Sequence, residues 1–179
     1  MKRFLQTVLL LCAAFAGVAR LCSNPRTGAP WTARPPRGDT VPAKSVLTGR
    51  CIGIIDGDTV DVVLPDNHSV RVRLEGIDAP EKGQPFGAAS KAHLASMVAD
   101  RQIEVRTTGI DRYGRTLGTI FVGTLPVNLQ MVRDGFAWHF VRYSTDRTIA
   151  TAQVEAQKAR RGLWKDPLPT PPWEWRQNR

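Results

Sequence analysis

The sequence contains few residues of the kinds that bind soft metals: three cysteines and three histidines among 179 residues. Protein zinc sites usually draw cysteines and histidines from short, regular spacings. His68, His93 and His139 are widely separated and show no such spacing. The sequence therefore argues against a zinc site. It also contains no internal repeat, which argues against a repeat protein.

Long apolar runs are also lacking. The apolar run from Val8 to Val18 is shorter than the roughly 20 residues that span a bilayer, which disfavours an uncleaved membrane anchor. It follows Lys2 and Arg3 and precedes small residues, which is the layout of a secretory signal peptide. Cleavage after Ala16 or after Ala19 satisfies the small-x-small rule. We therefore expect a secreted or periplasmic protein with no membrane span after cleavage.

Acidic residues are under-represented. The chain has 16 Asp and Glu against 25 Lys and Arg, a net charge of +9 and a pI of about 10.2. Loss of the predicted signal peptide removes only Lys2 and Arg3 from this balance. Such a charge favours polyanionic partners such as nucleic acid, although simple solubility explains it too and charge alone supplies no chemistry.

Two cysteines, Cys22 and Cys51, remain once Cys12 leaves with the signal peptide. Exported proteins commonly form disulfides, but the sequence gives no distance between these two residues. A disulfide and two free thiols are both open. The residues before Cys12 and Cys22 do not resemble a lipoprotein processing site, so lipidation is not predicted.

Composition divides the chain into four parts. Residues 20–45 are rich in proline, glycine and polar residues without apolar periodicity, which is typical of a linker. The end of the chain is too proline-rich to predict a helix, and we expect it to lie on the surface with its tryptophans as anchors. The predicted organisation is a signal peptide at 1–19, the linker at 20–45, a globular domain at 46–165 and a tail at 166–179.

The globular domain reads as five short strands and three helices. The segment VRVRL, residues 70–74, alternates apolar and basic residues, as a half-buried strand does. A helix is predicted between the third and fourth strands, which is the layout of an OB-fold, a five-stranded Greek-key barrel of the α+β class. The predicted strands are 46–55, 59–64, 70–74, 102–107 and 116–122, and the predicted helices are 87–101, 127–134 and 146–161, with Asp146 as an N-cap.

Three segments concentrate acids and arginines next to these strands. Asp56-Gly57-Asp58 joins the first two strands, the segment 73–81 follows the third, and Asp111-Arg112-Tyr113-Gly114-Arg115 precedes the fifth. Each segment alone has an ordinary interpretation, since Asp-Gly is a common hairpin turn and an arginine at a strand end is often solvated. Their joint occurrence favours a functional site.

The combination of two Asp, one Glu and two Arg suits metal-assisted attack on a phosphodiester. Carboxylate and carbonyl oxygens are the ligands that Ca²⁺ prefers. A cation and arginine side chains can neutralise charge that develops on phosphate oxygens, and a nearby carboxylate can deprotonate water.

On these three segments, the sequence from Val46 to Trp164 resembles the staphylococcal nuclease family. The resemblance implies an OB barrel with three helices and a Ca²⁺-dependent endonuclease. Such an enzyme hydrolyses DNA and RNA with little sequence specificity, by attack of water that leaves 3′-phosphate ends. It also implies nucleic-acid substrates and, by default, a monomer.

The resemblance assigns a role to each motif residue. It implies that Asp58, Asp78 and the carbonyl of Ala79 bind Ca²⁺, that Arg73 and Arg115 hold the phosphate and that Glu81 is the general base. It further implies that Asp56 supports the site and that Arg112, Tyr113 and Tyr143 contact nucleic acid. Two departures are visible: Ala79 replaces a threonine, which we expect to lower activity, and the loop KGQPFG, residues 82–87, is short.

Two other classes of protein fit the same charge. One is a nucleic-acid-binding module without catalysis, which we would expect to have lost some of these carboxylates or arginines. The other is a structural envelope protein whose basic face meets an anionic polymer or lipid. Neither explains the placement of the acids.

Overall fold

The computed structural model describes residues 44–178. Predictions for residues 1–43, including the signal peptide, most of the linker and Cys22, lie outside the described residues. The strands are β1 (Val46–Ile54), β2 (Thr59–Val63), β3 (Ser69–Leu74), β4 (Ile77–Asp78), β5 (Gln102–Ile110), β6 (Thr116–Val122), β7 (Leu125–Pro126) and β8 (Trp138–His139). The helices are α1 (Gly87–Val98), α2 (Val127–Arg133), α3 (Arg147–Lys158) and α4 (Pro172–Gln177), with a 3₁₀ turn at Gly162–Lys165.

Five strands close into a barrel. Antiparallel pairing runs in the order β3-β2-β1-β5-β6, and a parallel pairing of β3 with β6 closes the circle. Helix α1 lies between β4 and β5 in the chain, after the third barrel strand, as expected. The predicted OB-fold barrel of the α+β class is confirmed.

Alternation along the strands fills the barrel. Val72 and Leu74 of β3 are fully buried, while Arg71 between its apolar neighbours is exposed. Strand β1 has a bulge near Gly53, because the register of β1 against β2 shifts between Cys51 and Gly53. Other fully buried side chains of the barrel are Val60, Val62, Val105 and Ile120.

The helices cover the barrel with apolar faces. Helix α1 buries Leu94, Met97 and Val98, an apolar set at the i, i+3 and i+4 spacing of one helix face. Helix α3 buries Ile149 and a stripe of alanines. Both helices end earlier than predicted, because α1 stops at Val98 and α3 at Lys158.

The chain after α3 returns closely to the end of α2. Gly135 and Gly162 both have positive φ, and a Cβ on Gly162 would lie 2.1 Å from the carbonyl oxygen of Gly135. The amide of Leu163 donates to that same oxygen at 2.8 Å. Glycine is therefore required at both positions for backbone conformation and for space.

The C-terminal tail differs from the prediction. It contains a short helix, α4, although the proline content argued against one. Pro172 is the first helical residue, where the missing N–H has no intrahelical partner to lose and the fixed φ suits the helix. The expectation that tryptophans anchor the tail is confirmed for Trp173, whose ring stacks on Phe140 with centroids 5.5 Å apart.

Cys51 is a buried free thiol in the described part of the chain. Burial raises its pKa to about 11. Cys22, its possible disulfide partner, lies outside the described residues. Within residues 44–178, no helix combines the length and the apolar character needed to cross a membrane.

Asp146 caps α3 as predicted, since its Oδ1 accepts from the amides of Thr148 at 2.7 Å and Ile149 at 3.4 Å. We expect Asp146→Ala to lower the free energy of unfolding by about 1 kcal/mol, because those amides lose their partner. Urea unfolding would measure the change. Asp146→Asn retains a capping oxygen and is the control; equal losses in both variants would contradict the capping role.

Candidate active site

Two buried carboxylates form the centre of the site. Asp58 lies in the turn before β2 and Asp78 in β4, and they are 5% and 1% exposed. The Asp58 amide donates to Asp56 Oδ1 at 3.0 Å, and the amide of Leu74 donates to the Asp58 carbonyl at 2.8 Å. These bonds fix the turn between β1 and β2 against the end of β3. Asp56 thus supports the turn that carries Asp58.

Gly57 is required for space rather than for an unusual backbone conformation. Its φ is not in the positive range. A Cβ at this position would lie 2.0 Å from Ser90 Oγ and 2.7 Å from the Cβ of Ala79. The small residue therefore lets the turn pack directly on α1 and on the segment after β4.

Arg73 joins the two carboxylates. Its Nη2 lies 3.1 Å from Asp58 Oδ2 and 2.9 Å from Asp78 Oδ1, and its Nη1 donates to the carbonyls of Leu74 and Ile77. The guanidinium is thus held by four oxygens. Because it has few alternative positions, Arg73 presents a fixed positive charge to the site.

The nearby arginines do not outweigh the effect of burial on the two carboxyl groups. Burial raises the pKa of Asp58 to about 7, assisted by Asp56 and Asp78 and opposed by Arg73. Burial also raises the pKa of Asp78, although Arg176 and Arg73 oppose the change. Buried carboxylates with raised pKa values gain from an additional positive charge. The donor set therefore fits a hard cation bound by oxygen ligands.

No group of three or more His, Cys, Asp and Glu within residues 44–178 is arranged to hold a metal ion. The predicted Ca²⁺ ligands include only two such side chains, the carboxylates of Asp58 and Asp78, together with one backbone carbonyl. Ala79 is buried beside them, and its amide donates to Asp58 Oδ2 at 2.7 Å. The three predicted ligand residues are therefore brought together.

Glu81 lies three residues beyond Asp78 and is partly exposed. Its amide donates to Gln84 Oε1 at 2.9 Å, which fixes the backbone of the loop before α1. Gly87 closes this loop tightly, since a Cβ there would lie 2.1 Å from the Glu81 carbonyl oxygen. The loop therefore places the Glu81 carboxylate at the solvent side of the buried pair.

Arg176, from the far end of the chain, completes the cluster. Its Nη2 lies 2.7 Å from Asp78 Oδ2 and its Nη1 lies 2.5 Å from Glu81 Oε1. Sequence reasoning missed this residue, because no motif surrounds it and its position depends on how the tail packs. The tryptophans beside it were the one available signal that the tail is anchored.

The segment between β5 and β6 holds the remaining predicted residues. Arg115 Nε donates to Asp111 Oδ2 at 2.7 Å, and Asp111 Oδ1 accepts from the amides of Tyr113 and Arg115. Burial tends to raise the pKa of Asp111, but these bonds outweigh it and the pKa is lowered. In the described structure, Arg115 does not contact Asp58, Asp78 or Glu81.

Arg115 nevertheless directly precedes β6, the strand beside β3 that carries Arg73, because the parallel pairing sets Thr116 opposite Val72. Tyr113 is 68% exposed, and the guanidinium groups of Arg112 and Arg115 lie 4.8 Å and 5.5 Å from its ring centroid. Tyr143 is also exposed and packs against Phe140. These predicted nucleic-acid contacts are thus accessible, and they lie outside the carboxylate cluster.

Together, these features define an OB-fold protein with a buried acid–arginine cluster and with exposed basic and aromatic residues outside that cluster. Residues 71–166 match the family model described as staphylococcal nuclease homologue. The chain belongs to this family. The predicted family resemblance is confirmed.

Several curated relatives align over most of their length. An uncharacterized endonuclease of Escherichia coli is 43% identical over 131 residues, which cover 73% of this chain and 85% of the relative. A micrococcal nuclease of Shigella flexneri is 38% identical over 148 residues, covering 76% and 84%. An uncharacterized endonuclease of Haemophilus influenzae is 42% identical over 129 residues, covering 72% of each chain.

The pKa of Asp58 predicts a pH-dependent loss of stability. The folded state binds a proton at Asp58 more tightly than the unfolded state does, so this stabilisation is present at low pH and is lost as pH rises through about 7. Asp58→Asn cannot ionise. From pH 5 to pH 8, the free energy of unfolding of the wild type should therefore fall by about 2 kcal/mol more than that of the variant.

Urea unfolding at the two pH values measures this difference. Asp66→Asn, which alters an exposed carboxylate, is the control and should show no comparable gain. A difference between Asp58→Asn and the wild type that is the same at both pH values would show that ionised Asp58 does not destabilise the fold.

Proposed function

We propose that this protein is a Ca²⁺-dependent endonuclease that hydrolyses phosphodiester bonds in DNA and RNA. The observation that carries the proposal is the arrangement of Arg73 between two buried carboxylates, with Glu81 beside them at the solvent. Membership of the staphylococcal nuclease homologue family supports it, as do relatives named as nucleases and endonucleases.

Asp58, Asp78 and the carbonyl of Ala79 are the residues that would hold Ca²⁺. The bound ion would supply positive charge to the phosphate oxygens as negative charge develops on them. The raised pKa of both carboxyl groups, caused first by burial, supports this assignment because a cation would relieve their mutual repulsion.

The chain's own residues would perform the remaining steps. Arg73 is prepositioned by two carbonyls and would stabilise charge on the scissile phosphate. Glu81 is the accessible carboxylate and would accept a proton from the attacking water. Arg115 would bind the phosphate from the neighbouring strand. We expect products with 3′-phosphate ends.

Exposed residues would bind the nucleic acid without reading its sequence. Stacking of a base on an aromatic side chain contributes about 1–3 kcal/mol and tolerates any base. Tyr113 and Tyr143 are exposed in the manner this requires, and Arg112 adds positive charge. Because phosphate contacts carry no sequence information, little sequence specificity is expected.

Ala79 in place of threonine keeps the backbone carbonyl but removes a hydroxyl. The effect on the site is a loss of one hydrogen-bonding group near Glu81, so we propose a lower turnover than a threonine would give. We also propose a monomer that is secreted or periplasmic, with the four-part organisation given by the sequence.

The test is hydrolysis of denatured DNA by the purified protein, with Ca²⁺ or with chelator. Glu81→Gln and Arg73→Ala should each reduce the rate by about 10²–10³-fold, as loss of one preorganised electrostatic group does. Arg50→Ala alters an exposed arginine on β1 and should leave the rate unchanged. Circular dichroism would confirm that each variant is folded.

Binding of DNA without cleavage at any Ca²⁺ concentration would overturn the enzyme proposal. The non-catalytic binding module would then be the better explanation. Cleavage that survives Glu81→Gln at full rate would show hydrolysis but exclude Glu81 as the base.

A further inference from the structure

The C-terminal strap, residues 168–178, lies against the carboxylate cluster. The carbonyl of Thr170 accepts from Gln84 Nε2 at 2.7 Å, so the strap is attached to the loop that carries Glu81. The ring of Trp173 then stacks on Phe140 and meets Trp138 edge-on at 5.7 Å between centroids. These contacts determine where the following turn of α4 places Arg176.

Arg176 engages two carboxylates to which the proposed function gives different roles. Nη2 lies 2.7 Å from Asp78 Oδ2, Nη1 lies 3.3 Å from Asp78 Oδ1, and Nη1 also lies 2.5 Å from Glu81 Oε1. With Arg73 also donating to Oδ1, both oxygens of Asp78 accept hydrogen bonds from arginines. Burial alone would lower the pKa of Arg176, but its bonds to Asp78 and Glu81 outweigh this and raise it.

We propose that the C-terminal strap is an autoinhibitory element in which Arg176 competes with Ca²⁺ for Asp78 and withholds Glu81 from water. This inference rests on the proposed function, since it takes Asp78 as a cation ligand and Glu81 as the base. Ca²⁺ binds carboxylate oxygens at about 2.3–2.6 Å. A guanidinium nitrogen 2.7 Å from Oδ2 places a like charge beside that position.

The short length of α4 and the partial exposure of the strap favour its displacement from the carboxylate cluster. Helix α4 spans six residues, and isolated helices of that length are not stable in water, so its order depends on the barrel surface. The Arg176 side chain is 42% exposed, and Leu168 at the start of the strap is largely exposed. Its partner Asp78 is buried, so release of Arg176 requires a replacement positive charge at that carboxylate, which a divalent cation would supply.

Competition of this kind is reciprocal. If closing of the strap weakens Ca²⁺ binding, then Ca²⁺ must loosen the strap by the same free energy. In the closed strap Glu81 is also paired with Arg176, so release would free the base and the cation ligand in one movement. The strap therefore couples binding of the cation to release of the base.

Calorimetric titration with Ca²⁺ tests the competition in the full chain. Arg176→Gln removes the charge while keeping a polar side chain, and it should lower the Kd for Ca²⁺ by about fivefold or more, the lower end of usual coupling free energies. Trp173→Ala, which removes the stacking on Phe140 and leaves Arg176 in place, should change the Kd in the same direction. Arg50→Gln makes the same change of charge on an exposed site and should leave the Kd unaltered.

Hydrogen exchange gives a second measurement that does not depend on cleavage. The amides of Glu174 and Trp175 donate to the Pro171 carbonyl in the closed strap. Saturating Ca²⁺ should accelerate exchange of residues 171–177 in the wild type. In Arg176→Gln, exchange there should already be fast without Ca²⁺.

The outcomes separate this inference from the proposed function. If the wild type binds Ca²⁺ and both strap variants bind it with the same Kd, the strap does not compete and only this inference fails. If Arg176→Gln cuts DNA more slowly at saturating Ca²⁺ with an unchanged Kd, Arg176 serves the substrate, and autoinhibition is again wrong. If no variant binds Ca²⁺, the calcium site fails together with the inference.

Discussion

The bond network of Arg73 is the constraint on which the candidate site depends. Two carboxylates buried within reach of one guanidinium would repel each other without it, and removing one partner of such a buried cluster is strongly destabilising. The barrel supplies the geometry, because Arg73 extends from β3, Asp58 directly precedes the paired strand β2, and Asp78 lies in β4, which follows β3. The strand pairing that builds the barrel therefore also brings the acids to Arg73.

Burial of the acid cluster lowers the stability of the fold and at the same time favours chemistry at the site. Burial of Asp58 leaves it with a raised pKa, and the same burial keeps bulk water away from the place where charge would develop. The exposed turn between β5 and β6 is organised differently. There Asp111 accepts hydrogen bonds from backbone amides and from the Arg115 side chain. These bonds hold a partly exposed arginine in one orientation.

The barrel could be predicted because its strands and helices are indicated by patterns within short segments of the sequence. Alternation in VRVRL, the three apolar positions of α1 and the Asp146 cap each describe short segments, and the three acid-rich motifs sit at strand ends. Features that depend on contacts between distant residues, such as the position of Arg176, could not be predicted. The role of Gly57 depends on Ser90, which is distant in sequence, and α4 forms because Pro172 falls at the one helical position that tolerates it while the aromatic surface beneath holds it.

The position of the strap makes helix α4 part of the site. Arg176 pairs with Asp78 from the last turn of α4, so a group attached to that turn lies beside the ion pair. A chemical label attached there is consequently a modification of the acid cluster. Preparations that differ only in such a label differ chemically at the carboxylates themselves.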